Sequence, residues 1–321
     1  MTALQQTLPA LLSLFVIAAT GCTPPLPKTQ VSLDTLVAEY NANAAAVPML
    51  AAYADIEFTA YSEITGMGLP LWTSPNGLLR MKKGPDPLGT HDMVLIGREV
   101  SKQVLRVGTS RKDNVYYMWT LMPKAKAMWG RMHLAGAPGI KHLPIDPTGL
   151  QAVLGICQLP ADQSVTPAVT LKMDTTPERY AYVLGYLTRQ PVSNRFVMRR
   201  QFRFVWGDKK PRRLEEINFF DARGRKIMSA SVSDYKPVDI SEMENPPKTP
   251  PIMPTDIRIT WFNNRQRKTA SVRLRLSQMT TEEIWDVAIC EFFKNMPGDI
   301  PPDKVIQVDK DIPRKKEGND K

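Results

Sequence analysis

From about residue 53 to residue 276 the chain repeats one pattern: short segments of alternating apolar and polar residues, each closed by glycine, proline or asparagine. Alternation with a period of two places every apolar side chain of a strand on one face. Short strands parted by turn residues join their neighbours as antiparallel hairpins. Residues 53–61 set Ile56, Phe58 and Ala60 against Asp55, Glu57 and Thr59. Strands are predicted to follow at 78–82, 93–97, 103–107, 115–121 and 126–133, with Pro75-Asn76-Gly77, Lys83-Gly84-Pro85, Gly108 and Pro123 between them. A second series covers 168–173, 179–189, 195–206, 214–220 and 226–235, and a last hairpin, 257–262 with 270–276, turns at Asn263-Asn264. Such a chain buries one face only by curling its sheet or closing it into a barrel.

Helical spacing interrupts this pattern in few places. Residues 34–47 carry Leu36, Val37, Tyr40 and Ala44 on one face behind a cap near Ser32. Asp146 and Pro147 open a short helix with Leu150, Val153 and Leu154, Asp146 acting as N-cap and Pro147 at the first helical position. A third short helix is predicted over 281–289, where Glu282-Glu283 suit a helix N-terminus. The stretch 237–254 holds six prolines and reads as a loop, with an extra hairpin over 255–277. Residues 298–321 are proline-rich and charged and are expected to be a disordered tail, leaving one domain over 32–297.

The N-terminus has a different character. Leu8, Leu11, Leu12, Leu14, Phe15, Val16 and Ile17 form a short apolar run that ends in Ala18-Ala19-Thr20-Gly21-Cys22. An apolar region of this length before small residues is an export signal, too short to span a bilayer. The ending resembles a bacterial lipobox, which implies cleavage after residue 21 and a lipid-modified Cys22. The proline-rich residues 22–31 would then form a tether from the membrane. Thr23, in place of an aspartate after the cysteine, implies sorting to the outer membrane, facing the periplasm. An ordinary cleaved signal and a buried N-terminal helix are the alternatives.

The 321-residue chain has a net charge of +10, part of it in residues 310–321 and part in the arginine-dense stretch 195–213. On an exported protein such charge favours anionic lipid head groups or an anionic envelope polymer over nucleic acid, or forms a plain solvated surface. Cys157 and Cys290 either bridge or stay as free thiols.

Several strands carry wide aromatic rows. Phe196, Met198, Phe202, Phe204 and Trp206 share a parity broken only by Arg200, while Arg195, Arg199, Gln201 and Arg203 take the other. Tyr182, Leu184 and Tyr186 precede them, Tyr117 and Trp119 stand on an earlier strand, and Phe58 on the first. With 16 methionines in the chain, these rows suit either a packed core or the wall of a deformable apolar cavity. A separate anomaly lies at 61–77, where Met67, Leu69, Leu71 and Trp72 sit among turn residues. This loop either dips into a membrane interface or packs over the barrel mouth.

Helix, strand meander, short helix and second meander resemble the LolA/LolB-like lipoprotein carrier and receptor superfamily. The most similar stretch is Gly139-Ile140-Lys141-His142-Leu143-Pro144-Ile145-Asp146-Pro147 with Leu150 and Leu154-Gly155, followed by Val115-Tyr116-Tyr117-Met118-Trp119 and the turn Asp221-Ala222-Arg223-Gly224. The resemblance covers about residues 32–236, the final hairpin being an extension. It implies a mainly β (α+β) fold: an unclosed half-barrel that holds acyl chains on an apolar concave face, with the short helix as a lid gating access.

Catalytic and metal-binding patterns are missing from the sequence. Among the three histidines, His91, His133 and His142, no two stand at i and i+4, and there is no CxxC, HExxH, GxSxG, GxGxxG or Walker-type loop. Glu215-Glu216 fall on opposite faces of one strand and make no carboxylate pair. The expectation is a non-enzymatic envelope lipoprotein that needs no metal or cofactor and binds a lipid, acyl chain or lipoprotein. The alternative is a structural or assembly lipoprotein with a solid barrel and a basic interaction surface.

Overall fold

The computed structural model describes residues 30–310 except 63, 87, 123, 136–142, 144, 161, 163–166, 176–179, 190–195, 208–210, 264 and 282–285. The export signal, Cys22, most of the tether, residues 139–142 and the last eleven residues therefore lie outside the described residues. So do Glu282 and Glu283.

Helix α1 (Leu33–Ala45) leads into β1 (Met49–Tyr61), β2 (Gly68–Lys82), β3 (Asp92–Glu99), β4 (Lys102–Ser110), β5 (Val115–Thr120) and β6 (Lys126–Arg131). Helix α2 (Pro147–Val153) separates these from β7 (Ala168–Asp174), β8 (Ala181–Arg189), β9 (Phe196–Val205), β10 (Leu214–Phe220), β11 (Lys226–Pro237), β12 (Ile252–Phe262) and β13 (Lys268–Thr280). A short β14 (Val305–Gln307) comes last. Among the described residues all fourteen strands form one sheet in the order β14-β6-β5-β4-β3-β2-β1-β13-β12-β11-β10-β9-β8-β7. Its two edges do not meet, so the fold is the unclosed, mainly β half-barrel with two helices against one face.

Register rows cross the sheet and make that face continuous. Trp72, Phe58, Val272, Ile259, Ala230, Ile217, Phe202, Leu184 and Leu171 are successive cross-strand neighbours from β2 to β7. They belong to one large apolar cluster with α1 and α2. Ser32 caps α1 through its hydroxyl, and Asp146 caps α2. Two asparagines fasten α1 to the chain around it. Asn41 exchanges hydrogen bonds of 2.9 and 2.7 Å with the backbone of Leu159, and Asn43 exchanges two of 2.9 Å with Ile252. Tyr40 meets Phe202 and Phe204 edge-on, and Glu39 forms a largely buried ion pair with Arg212 at 2.7 Å.

Four expectations need correction. The last hairpin is not an appendage. Strand β13 pairs with β1 over nine residue pairs and joins the two meanders. The chain does not leave the fold at residue 298, because β14 pairs in parallel with β6 and Asp309 is fully buried. Of the helix expected over 281–289, residues 282–285 lie outside the described residues, and Val287–Ile289 belong to a short 3-10 turn, Val287–Cys290, capped by Asp286, and not to an α-helix. The apolar segment at 66–72 is strand from Gly68 onward, with only Gly66 and Met67 in the turn, since β2 begins at Gly68 and pairs with β1 out to Tyr61.

Residues 286–309 form a strap over the convex face of β3–β6. Tyr117 donates to the Cys290 carbonyl at 3.0 Å, Arg106 donates to the Ile289 carbonyl at 3.0 Å, and Phe292 stacks in tilted contact with Tyr117. Cys290 lies buried under the strap and Cys157 lies on the other side of the sheet, both as free thiols. Asp309 accepts from the Arg131 backbone at 2.8 Å, the Arg131 Nε at 2.9 Å and Gln307 at 2.7 Å. Burial works against its charge, but these donors hold its carboxyl below the usual carboxylate range. Asp309→Ala leaves the Arg131 donors without their acceptor. Chemical denaturation should show a loss of about 2–3 kcal/mol, and an unchanged midpoint would mean that the strap adds nothing to stability.

Helix α2 rests on a buried polar knot. Gln151 donates to the His91 carbonyl at 2.9 Å and to the Thr109 hydroxyl at 2.8 Å. The His91 Nδ1 accepts from the Gly84 amide at 3.1 Å, which leaves the ring proton on Nε2 without a partner. Burial, with the nearby Lys83 and Arg111 charges, lowers the His91 pKa to about 4. The unfolded chain takes up this proton near pH 6.5 and the native chain does not. Stability is therefore complete above about pH 6.5 and falls as pH drops toward 4, by about 3 kcal/mol from this residue. His91→Gln, which keeps an acceptor for Gly84, should flatten that part of the stability–pH profile. An equal slope in both proteins would rule the assignment out.

Candidate functional site

The helices do not fill the concave face. Between α1, α2, the segment after α2 and strands β5 and β8–β10 lies a cavity of about 670 Å3, within the ~300–1,000 Å3 range of small-molecule sites. Its apolar wall comes from Tyr40 of α1, Ala152 of α2, Tyr116 of β5, Leu143, Leu159, Tyr186 of β8, Phe202 of β9, and Phe219 and Phe220 of β10. Gln151, Thr148, Thr188, Cys157, Asp146, Arg199 and Arg200 supply the polar part.

The aromatic residues singled out in the sequence go to several different places. Tyr186 and Phe202 line the cavity. Phe58, Tyr182, Leu184, Phe204 and Trp206 stand in the packed cluster beside it, Tyr182 stacking on Trp206 at 4.7 Å with an interplanar angle of 7°. Tyr117 and Trp119 are on the opposite face, buried with Phe292 and Ile300 under the strap. On β5 it is Tyr116 and Met118 that face the large cluster. Because the strap covers the convex side, β5 is apolar on both faces and its alternation does not tell them apart.

Phe196 and Met198 also leave the concave face, and the cause is a register shift in β9. Tyr186 pairs with Arg200 and Leu187 with Met198, so Arg199 is an extra residue without a partner on β8. A bulge of this kind reverses the facing of everything beyond it. Phe196 becomes solvent-exposed, and Met198 turns to the face on which Gly185 lies. Arg199, expected on the solvated side, is carried inward and lines the cavity next to Arg200.

At the tip of the β1–β2 hairpin Met67, Leu69 and Leu71 are 65, 59 and 54% exposed, and Ile64 is 93% exposed. Trp72 behaves differently: its ring lies against Gly97, where there is no room for a Cβ, and packs on the core. Next to this tip the β12–β13 turn presents Arg265, Arg267 and Lys268, since β13 is the direct neighbour of β1.

Tyr40, Tyr116, Phe219, Gln151 and Cys157 carried no sequence signal for this site. Tyr40 looked like an ordinary position on a helix face. Burial pushes the Cys157 thiol up to about 11, with Arg200 and Lys83 pulling weakly the other way, so at neutral pH it is protonated and a poor nucleophile. Burial raises the Tyr40 and Tyr186 hydroxyls as well. The Tyr40 hydroxyl is buried and has no hydrogen-bond partner. No group of three or more metal-ligating side chains occurs among the described residues. The arrangement is that of an apolar container with a cationic rim.

No family model and no curated protein matches the chain. Solved structures do. A DUF1329 family protein from Desulfovibrio piger superposes with a TM-score of 0.50 at 11% identity, over 81% of this chain and 96% of that one. A LolA superfamily protein from Nitrosomonas europaea gives a TM-score of 0.44 at 10% identity, over 82% of this chain and 99% of that one. The likeness to the Desulfovibrio protein is one of fold: this chain is an open half-barrel of the same build.

Proposed function

We propose that the protein is a non-enzymatic carrier or receptor of the cell envelope that takes an acyl chain, lipid or lipoprotein into the concave cavity. The observation that carries this reading is the void itself: a 670 Å3 space walled by aromatic and aliphatic side chains that neither helix fills. Each methylene moved from water into such a space contributes about 0.8 kcal/mol, so a single acyl chain has enough drive to bind without specific polar contacts. A solid barrel with a purely structural role does not account for the void. The export signal and the lipobox-like Gly21-Cys22 support placement at the periplasmic side of the outer membrane, with Cys22 as the lipid-bearing residue.

The β1–β2 hairpin tip fits the same reading. Its exposed Ile64, Met67, Leu69 and Leu71 would enter the interface of a membrane while Arg265, Arg267 and Lys268 meet anionic head groups. This arrangement would set a loaded or empty carrier against the surface it exchanges with.

Two measurements test the proposal. Protein purified from the envelope without detergent should release a lipid or acyl component on solvent extraction, identified by mass spectrometry. Thr188→Trp, which projects into the cavity from a half-buried position, should lower that yield at least severalfold with little change in melting temperature. Repeated recovery of empty wild-type protein would defeat the reading. Separately, Met67→Asp with Leu69→Asp should cut binding to phosphatidylglycerol-containing vesicles, judged by co-sedimentation, while leaving stability unchanged because both positions are exposed. Undiminished binding would remove the hairpin tip from membrane contact.

A further inference from the structure

The cavity rim is chemically asymmetric in a way that a container for neutral hydrocarbon does not need. Two arginines and one aspartate line the cavity. Asp146 is already engaged, its carboxylate accepting from the Thr148 amide at 3.0 Å and the Thr148 hydroxyl at 2.8 Å as the cap of α2. Arg200 forms no ion pair with a carboxylate among the described residues. Its guanidinium lies instead over the Phe219 ring, 5.7 Å from the centroid, on the cross-strand neighbour in β10.

Arg200 faces inward because its register partner Tyr186 does. The row Tyr186–Arg200–Phe219–Met228 runs across β8–β11, so a permanent cation stands where the row would otherwise be wholly apolar. The sheet admits this at the bulge, which also turns Arg199 inward. A cation held over an aromatic ring at a partly exposed rim keeps its charge and stays open to a carboxylate or phosphate oxygen.

Resting on the cavity reading above, we infer that the ligand is an anionic amphiphile whose carboxylate or phosphate head group sits at Arg200 while its chain runs inward along Tyr186, Phe202 and Phe219. Arg200 supplies the charge that holds the head group at the rim. The apolar wall supplies most of the affinity and Arg200 selects among chains of equal length.

Competition experiments with the delipidated full-length protein separate this inference from the broader one. The fluorescent fatty acid cis-parinaric acid serves as reporter. Palmitate and its methyl ester are compared as competitors, and so are lysophosphatidylglycerol and zwitterionic lysophosphatidylcholine. We expect each anionic lipid to bind more tightly than its uncharged or zwitterionic partner by roughly three- to tenfold, the scale of a partly exposed charge pair, with the ratio shrinking at high salt. Arg200→Gln should bring both ratios toward one, and Arg200→Lys should keep part of the preference. Equal affinities in the wild-type protein, or an unchanged preference in Arg200→Gln, would overturn the head-group assignment and leave the acyl cavity standing. Failure of every lipid to displace the reporter would overturn the cavity reading itself. Displacement by inorganic phosphate at the same concentrations would mark a simple anion site and refute the amphiphile. A preference seen only within one head-group pair fixes which anion, carboxylate or phosphate, the site takes.

Discussion

The pairing of β1 with β13 is what makes this chain one object. The two strands are more than two hundred residues apart and share nine residue pairs, from Ala51 with Thr280 to Ala60 with Ala270. Without it there would be two meanders of six and seven strands, each with an open edge in the middle of what is now a continuous face. Both meanders offer apolar rows of the same parity at this seam, Ile56 with Leu274 and Phe58 with Val272, so closing it buries side chains as well as satisfying backbone groups. The cost is loop-closure entropy, which such non-local pairing must meet before it is rewarded. Helix α1 offsets part of it. Immediately before β1, it holds Ile252 at the start of β12 through Asn43, and Arg212 near β10 through Glu39. A local element thereby carries contacts to the distant half of the sheet.

The two halves differ in how they treat their outer face. Strands β3–β5 are buried on both sides, concave residues under the helices and convex residues under the strap. Strands β7–β13 have one covered face, and their convex positions carry Lys172, Arg203, Arg258, Arg273 and Arg275. Several of these pair with acids across strands, Arg203 with Asp174 and Arg275 with Glu57. An exposed pair such as Arg275–Glu57 adds little stability by itself. Such pairs keep the convex face of a broad open sheet polar. The cavity lies between the two halves, with Tyr116 of β5 on the double-sided side and Tyr186, Phe202 and Phe219 of β8–β10 on the single-sided side.

Where one face was solvated, the sequence was readable. The strands from 168 to 276, both helix caps and the hairpin turn at Asp221 followed from alternation and turn residues, because water makes one parity polar. Legibility failed where that contrast vanished. On β5, Val115-Tyr116-Tyr117-Met118-Trp119 is apolar throughout, and choosing a parity put Tyr117 and Trp119 on the wrong side. The strap that causes this ends in Asp309, whose burial beside Arg131 cannot be foreseen in a proline-rich, charged stretch. On β9 the failure had another origin. A one-residue bulge at Arg199 changes no composition and leaves no local signature, yet it reverses Phe196 and Met198 and adds Arg199 to Arg200 at the cavity. Sequence periodicity assumes constant register, and functional rims are where register breaks.

Access to the cavity follows from the same packing. In the lipid-carrier resemblance the short helix is a lid, but the contacts of α2 make it a poor gate. Six of its seven residues are buried, Gln151 makes two hydrogen bonds out of reach of water, and Gly149 lies so close to Met228 that a Cβ there would come within 2.8 Å of its methyl group. Lifting this helix would expose a large part of the apolar cluster and strand the Gln151, His91 and Thr109 groups together. On the opposite rim Leu88 and Arg200 are exposed, Gly89, Thr90, Thr188 and Arg199 are half-buried, and the β9 ladder is already interrupted. Among the described residues this exposed rim, and not α2, is where an amphiphile of the kind inferred above would meet the cavity, past the arginines before its chain reaches Phe202.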